Sequence, residues 1–445
     1  MKPVKHLASD LDTTSYRAWV LFMLVVVYIF NFIDRQIIGI LAVPIQAELA
    51  LSDTQLSLMG GLAFALFYTI LGIPIAWLAD RKNRTWIMTI ALIAWSSMTA
   101  LCGFAQNFGQ LFIARLGVGV GEAGGVAPAY SLISDYFPSN QRSRALGIYA
   151  FAIPIGSALG MLIGGVLTNL IGWRLTFVVV GVLGLAIAPL FKMTVKEPKR
   201  GRYDSPSADL RPVSFSSVIK TLKTKKSFWF LVLGGASASM MTYGLLFWFP
   251  SFLVRSFGPE LITFFSWLPS FMHSSDSSPV LYVSYFYGAI LLIGGIGGIW
   301  LGAVVSDKLG ETNKNIYGRA PAYSFIGTVP FFLIGILSNS LTVVFFAFMI
   351  IQALSFVMMG PLISSLQHIV GPNMRATASA IALFINNLVG IGLGNLLIGI
   401  LSDFLSKQFA EEALRYSIAS GVIFYLIASA LFFLAARHLE SDWQY

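Results

Sequence analysis

The chain is 445 residues long, 56% hydrophobic and only 11% charged, with a mean hydropathy of +0.77. A soluble protein of this length carries about twice that charge fraction, so a water-soluble enzyme or nucleic-acid binder is excluded as a class. Apolar runs of about 20 residues, enough to cross a bilayer, recur along the whole chain, and the net charge of +9 then has to be explained by membrane topology rather than by an acidic partner.

In chain order, about twelve membrane spans are predicted, near 18–44, 55–78, 86–105, 108–133, 143–168, 172–192, 227–252, 280–306, 318–338, 341–367, 375–402 and 415–437. The polar start, MKPVKHLASDLDTTSYR, leads into the first span with no small-residue cleavage site, so that span reads as a retained helix and not a signal peptide. Its stretch YIFNFIDRQIIGIL sets Asp34 beside Arg35 inside an apolar run. A charge near the bilayer centre costs roughly 2.5–3.5 kcal/mol on insertion scales, which marks such residues as functional candidates.

Span two ends in AWLADRKNR, with Asp80, Arg81 and Arg84, and Cys102 sits alone in span three. A lone thiol offers neither a disulfide framework nor a metal site. Span four contains RLGVGVGEAG, with Arg115 and Glu122 seven residues apart. That is two turns, about 10.5 Å along one face, too far for easy pairing, so each expects a partner on another helix, and Asp34 and Arg35 are available. Asp135 follows, then FPSNQRSRALG with Arg144, then span five with Gly156, Gly160 and Gly164 at four-residue intervals. Small residues at this spacing let helices approach closely in lipid.

Residues 193–226, with KEPKRGRYDSPSADLRP and KTLKTKK, read as a flexible basic linker that obeys the positive-inside rule and attracts anionic headgroups. Beyond it, Tyr243, Phe247 and Trp248 in span seven, Tyr285 and Tyr287 in span eight, and Phe356, Met358 and Met359 in span ten offer an apolar wall, although such residues commonly serve packing or face lipid. The loop 259–279 is long and partly apolar, suited to lie on the membrane surface or over a cavity mouth. Asn386 and Asn387 in span eleven are paired amides that need partners. His368 reads as an interfacial residue.

With both termini cytoplasmic, only Arg174, Arg255, Lys407 and Arg415 fall in outside loops, and the remaining Lys and Arg outside the spans lie inside. The chain also repeats itself. Asp80-Arg81 after span two matches Asp307-Lys308 after span eight, and Arg144-Ala145 before span five matches Arg375-Ala376 before span eleven, with a Pro shortly ahead of each. Such a repeat implies two six-helix bundles, a central cavity and alternating access. The expected units are a first bundle at 1–192, a cytoplasmic linker at 193–226 and a second bundle at 227–445.

At this point the motifs resemble a known family. ADRKNR resembles the loop signature of the major facilitator superfamily, with Ala76 and Asn83 where its glycines usually fall. RLGVGVGEAG resembles its fourth-helix motif and PIGSALGMLIGG its fifth. NFIDR, AWSSMT, VGVGEAG, DYFPSNQRSRALG and GWRLTF together resemble the spinster-like group, densely in the first half and loosely in the second. The resemblance implies an all-α protein of twelve transmembrane helices in two pseudo-symmetric six-helix bundles, and the short termini suggest a bacterial member. It implies lysophospholipid- or sphingosine-type substrates, with proton coupling in some members. It also implies that Asp80 closes the cytoplasmic side against the start of span eleven near Arg375, with Asp135 pairing with Arg81 or Arg84 and Arg144 in the matching loop.

Asp34, Arg35, Arg115 and Glu122 sum to zero charge. They could form an ionic staple between helices, but a buried pair gives little net stability over an apolar alternative. We therefore expect Glu122, helped by Asp34, to carry protons, and Arg35 and Arg115 to bind an anionic group, with Tyr243, Trp248, Met358, Asn386 and Asn387 completing the substrate site. The expected cytoplasmic gate is Asp80, Arg81, Arg84, Asp135, Arg144 and Arg375. The partners are a small amphiphile, protons and the bilayer of the inner membrane, with the protein a monomer. No nucleotide motif and no metal-ligand spacing of His is present, so neither enzyme, cofactor nor metal is called for. A proton-coupled drug or organic-anion transporter, or an uncoupled scramblase or channel, is the alternative.

Overall fold

The computed structural model describes residues 13–203, 215–269, 272, 277–310, 313–371 and 374–443. These residues are overwhelmingly helical, and nine helices among them are long and apolar enough to cross a membrane. Two of the nine, Arg144–Thr194 and Thr377–Asp442, each hold two spans. The fourth span is divided into Phe108–Glu122 and Val126–Tyr136, each too short to count alone. The expected twelve crossings are all accounted for.

The first span, Thr14–Leu49, starts where the Thr13 side chain accepts from Tyr16 N, and it stops at Ala50 in the left-handed region, φ 50°. Ser52 and Gln55 then form a capping box that opens span two, Asp53–Ala79. Inside span two the turn Leu58–Leu62 is π-helical, and it carries Gly60 and Gly61. Span three, Arg84–Cys102, is capped by Asn83 through Trp86 N. Spans five and six are one run, Ala152–Thr194, folded back at Gly172, whose φ of 76° favours a residue without a Cβ.

In the second half, span seven runs Lys226–Phe264 and is longer than the expected 227–252. The start of the 259–279 loop is therefore helix. Phe265 stacks on Tyr282, and residues 270–271 and 273–276 lie outside the described residues. Spans eight and nine are Pro279–Gly310 and Ile316–Leu337. Span ten breaks into Leu341–Phe356 and Met359–Ile369. Span eleven runs Arg375–Ile385, a π segment Asn386–Leu393, and Gly394–Phe409, before span twelve, Ala413–Ser420 and Val422–Asp442.

Three of the helix pairs along which the two bundles meet carry a glycine at the contact. Gly39 of span one lies against the backbone of Leu246 and Phe247 in span seven. Gly61 of span two faces Ile391 O and Asn395 of span eleven, which brings the two π segments together. Gly165 of span five faces Ser284 of span eight. The Gly156, Gly160 and Gly164 stripe packs on span one, against Ile29, Ile33 and Ile40, as small-residue packing requires.

The linker departs from the flexible reading at its start. Tyr136 donates to Lys196 O, Tyr16 to Thr194 O, Gly201 N to Asp135, and Arg200 to Ala79 O and Lys82 O, so 195–203 forms a strap fastened to the first bundle. The helix Phe215–Thr224 belongs to the other side: Val218 and Leu222 are buried, and Leu222 O accepts from Trp229 Nε1. Residues 204–214 lie outside the described residues.

Candidate functional site

The centre of the molecule is built on the charges of spans one and four. Arg35 Nε donates to Glu122 Oε2 at 2.7 Å, with side-chain exposures of 10% and 0%. Three rings surround the guanidinium: Tyr68 at 4.6 Å, Phe64 at 4.9 Å and Phe32 at 5.2 Å from ring centroid to Cζ. Cation–π attraction of this kind grows when the charge is desolvated. The arginine is thus held by one acid and an aromatic cage, in a position that only a helix packed against span two can supply.

The second pair differs from the expected one. Arg115, buried, donates from Nη1 to the backbone oxygen of Asp34 at 3.4 Å, and not to its carboxylate. Asp34 Oδ1, Glu122 Oε1, Arg35 Nη2 and Arg115 Nε have no hydrogen-bond partner among the described residues. Buried polar groups are nearly always satisfied, so these four atoms are spare capacity for a ligand, a proton or water.

A small cavity opens beside them, lined by Arg35, Arg115, Tyr243, Phe247, Ile391 and Asn395 among others. It lies where spans one, two, seven and eleven converge. Its floor is shaped by the two π segments, in agreement with the frequent use of such turns at functional sites. Glu122 is the last residue of its helix, and the break at 123–125 follows directly. Gly119 and Gly121 let the neighbouring backbones of Phe64 and Trp95 close on span four.

Of the residues expected at the substrate site, the structure brings Arg35, Arg115 and Tyr243 to one cavity. Trp248 is not there: it is fully buried, and its Nε1 donates to Asn395 O at 3.0 Å, joining spans seven and eleven. Met358 is buried at the break in span ten. Asn386 Oδ1 accepts from Ser239 Oγ at 2.8 Å within the second bundle, and Asn387 is half-buried beside it.

The expected gate residues divide. Arg84 is fully buried and turns into the first bundle, paired with Asp135 and, at 2.6 Å, with Glu197, and bonded to Ser131 Oγ at 2.8 Å. Arg84 and Asp135 are therefore an internal network that the strap completes, and Arg84 rather than Arg81 is the partner of Asp135. Arg81 instead stacks on Trp77 at 4.0 Å. Asp80 and Arg144 are exposed and Arg375 is half-buried; the backbone N–H of Asp80 donates to Ala76 O, but its carboxylate has no hydrogen bond or ion pair among the described residues, so the expected contact with Arg375 is not made here.

The bundles are tied instead at the end away from the termini. Arg255 of span seven grips Asp53 at 2.6 and 2.9 Å and Gln46 at 2.8 Å. Ser402 donates to Asp53 at 2.7 Å, and Asp403 accepts from Asp53 N, Thr54 N and Thr54 Oγ1. Sequence reasoning missed this set. Its one signal was a lone Arg255 in an outside loop, read only as an exception to the charge bias.

The family model described as Major Facilitator Superfamily matches residues 24–394. An MFS-type efflux pump of Mycolicibacterium smegmatis is 30% identical over 430 residues, covering 96% of this chain and 94% of that one. The Sphingosine-1-phosphate transporter SPNS2 of Danio rerio is 27% identical over 419 residues, 92% of this chain and 81% of its own. A crystal structure of a bacterial homolog to the human lysosomal transporter Spinster, inward-facing and unoccupied, superposes with a TM-score of 0.83 at 30% identity, covering 97% of this chain and 99% of that one.

Proposed function

Because the chain belongs to the Major Facilitator Superfamily, we propose that it is a proton-coupled secondary transporter that moves an amphiphile with an anionic, lipid-like head by alternating access. The observation that carries this reading is the buried Arg35–Glu122 pair, whose arginine lines the central cavity and each of whose partners has one polar atom to spare. A guanidinium fork suits carboxylate or phosphate. When Glu122 takes a proton, its hold on Arg35 ends and Arg35 is free for an anion, so proton and anion load together. A cationic substrate would instead compete with the proton for Glu122, which would give exchange. Asp34 shares the proton with Glu122 as a helper, and Arg115 supplies a second positive charge.

The apolar part of the substrate fits Phe64, Leu246, Phe247 and Ile391 along the same cavity. A relative named as a sphingosine-1-phosphate transporter supports the lipid-like class. A second reading, export of drugs or organic anions through the same pair, is favoured by the relative named as an efflux pump. By the charge bias the termini are cytoplasmic and the protein sits in the inner membrane as a monomer, with the units 1–192, 193–226 and 227–445. With that orientation, the ties at the end away from the termini support reading this as the inward-facing state.

Purified protein in liposomes, offered sphingosine-1-phosphate and a lysophospholipid, tests the reading. Accumulation should follow an imposed proton gradient and stop when a protonophore collapses it. Flux of equal rate with and without the gradient would replace the coupled transporter with a scramblase or channel.

A further inference from the structure

We propose that Asp403 is the acid that holds the outer mouth shut, a positioning residue that acts as the reciprocal of Asp80 at the cytoplasmic mouth. Spans two and eleven run antiparallel, since Gly61 meets Ile391 and Asn395 while Asp53 and Ser57 meet Gly399. At the outer end, Asp403 belongs to the second bundle and yet accepts from the backbone N–H of Asp53 at 3.0 Å and of Thr54 at 2.8 Å, and from the Thr54 hydroxyl at 2.5 Å. Ser52 takes the next N–H, that of Gln55. The first N–H groups of a helix have no partner within it, and their partial positive charge favours a carboxylate. Two of them are met here by a side chain from across the bundle interface. Arg255, paired with Asp53, adds a second tie at the same mouth.

At the opposite end the same two helices present the same parts with roles exchanged. Asp80 closes span two, and the N-terminus of span eleven at Arg375 has no side-chain cap. The Asp80 carboxylate is exposed and unpartnered among the described residues. One latch is made and the other is open. Opening the outer mouth strips Asp403 from span two, and closing the cytoplasmic mouth offers Asp80 an equivalent helix start. Losses at one end are offset by gains at the other, which keeps the two states close in free energy, as a carrier that must visit both requires. The inference rests on the alternating-access reading, but it needs neither a proton nor a substrate.

The test uses the full chain in a Cys102→Ala background with one reporter, Leu246→Cys, on the cavity wall. A membrane-impermeant maleimide is applied from the face away from the termini. Asp403→Ala should raise the labelling rate about tenfold, the scale of losing a helix-start carboxylate and its bonds. Asp403→Asn should raise it less, because the amide keeps an acceptor but loses the charge. Asp80→Asn should lower it, and the double variant Asp80→Asn/Asp403→Asn should return it toward the parent. If Asp403→Ala does not yield a monodisperse protein, Asp403→Asn and Arg255→Gln address the same mouth. Labelling at the parent rate in every outer-mouth variant would overturn the proposal, even if proton-driven transport is intact. The graded, opposed response would support it even if transport proves uncoupled.

Discussion

Arg35 and Glu122 join spans one and four through a single 2.7 Å contact, although a guanidinium and a carboxylate can form two. Arg35 Nη2 and Glu122 Oε1 are left without partners among the described residues. A purely structural staple would be expected to use both contacts, since an unsatisfied buried polar atom costs about 1–3 kcal/mol.

Glu122→Gln mimics a permanently protonated acid. It should retain binding of an anionic amphiphile, remove the pH dependence of that binding, and abolish accumulation against a gradient. Flux in liposomes at a series of imposed pH gradients checks this. A merely structural Glu122 would give a less stable protein that still couples. Asp34→Asn should resemble it if the two acids titrate as one unit.

Arg35→Lys keeps the charge and loses the planar fork and its stacking on Phe64 and Tyr68. Affinity for the amphiphile should fall about tenfold, a loss of about 1.4 kcal/mol, with the folded yield unchanged. Calorimetric titration measures it. Wild-type affinity in Arg35→Ala would move the headgroup site elsewhere.

Arg84→Ala removes the shared partner of Asp135 and Glu197 and leaves two acids uncompensated. Breaking a buried pair in this way costs about 3–5 kcal/mol, so a large fall in thermal stability is expected. Arg81→Ala, whose side chain is exposed on Trp77, should be nearly neutral. Equal melting temperatures for the two variants would contradict the assigned network.

Gly156→Leu sets a branched chain where even a Cβ would lie 2.7 Å from Ile29 O and from Phe32 Cβ. Overpacking of this kind costs about 1–3 kcal/mol, and the spacing of spans one and five should widen. Gly297→Leu, where a Cβ meets nothing within 4 Å, is the control and should leave the melting curve in place.

The fold was legible because its signals are long-range averages: the hydropathy of runs of about 20 residues sets the spans. The quartet was legible because a charge inside an apolar run is rare and costly. What stayed hidden depends on pairing across space. Trp248 and Tyr243 are both aromatic and five residues apart, and nothing local says that one packs on Asn395 while the other reaches the cavity. Asp53 and Asp403 look like ordinary helix-end acids until 350 residues of sequence separation are folded away. Arg84 and Arg81 have the same chemistry, and only the spatial partners Asp135, Ser131 and the strap residue Glu197 distinguish them.

The strap also sets a mechanical limit. Tyr203 is bonded to Arg17 on the first bundle, and the helix beginning at Phe215 is packed on the second. Chain between two such anchors can span at most about 3.3–3.6 Å per residue, so the leash between them is roughly 40 Å when taut. However widely the mouth on the side of the termini opens in the proposed transport cycle, those two anchors cannot part further. Shortening the leash residue by residue should therefore leave small substrates moving while large ones are progressively excluded.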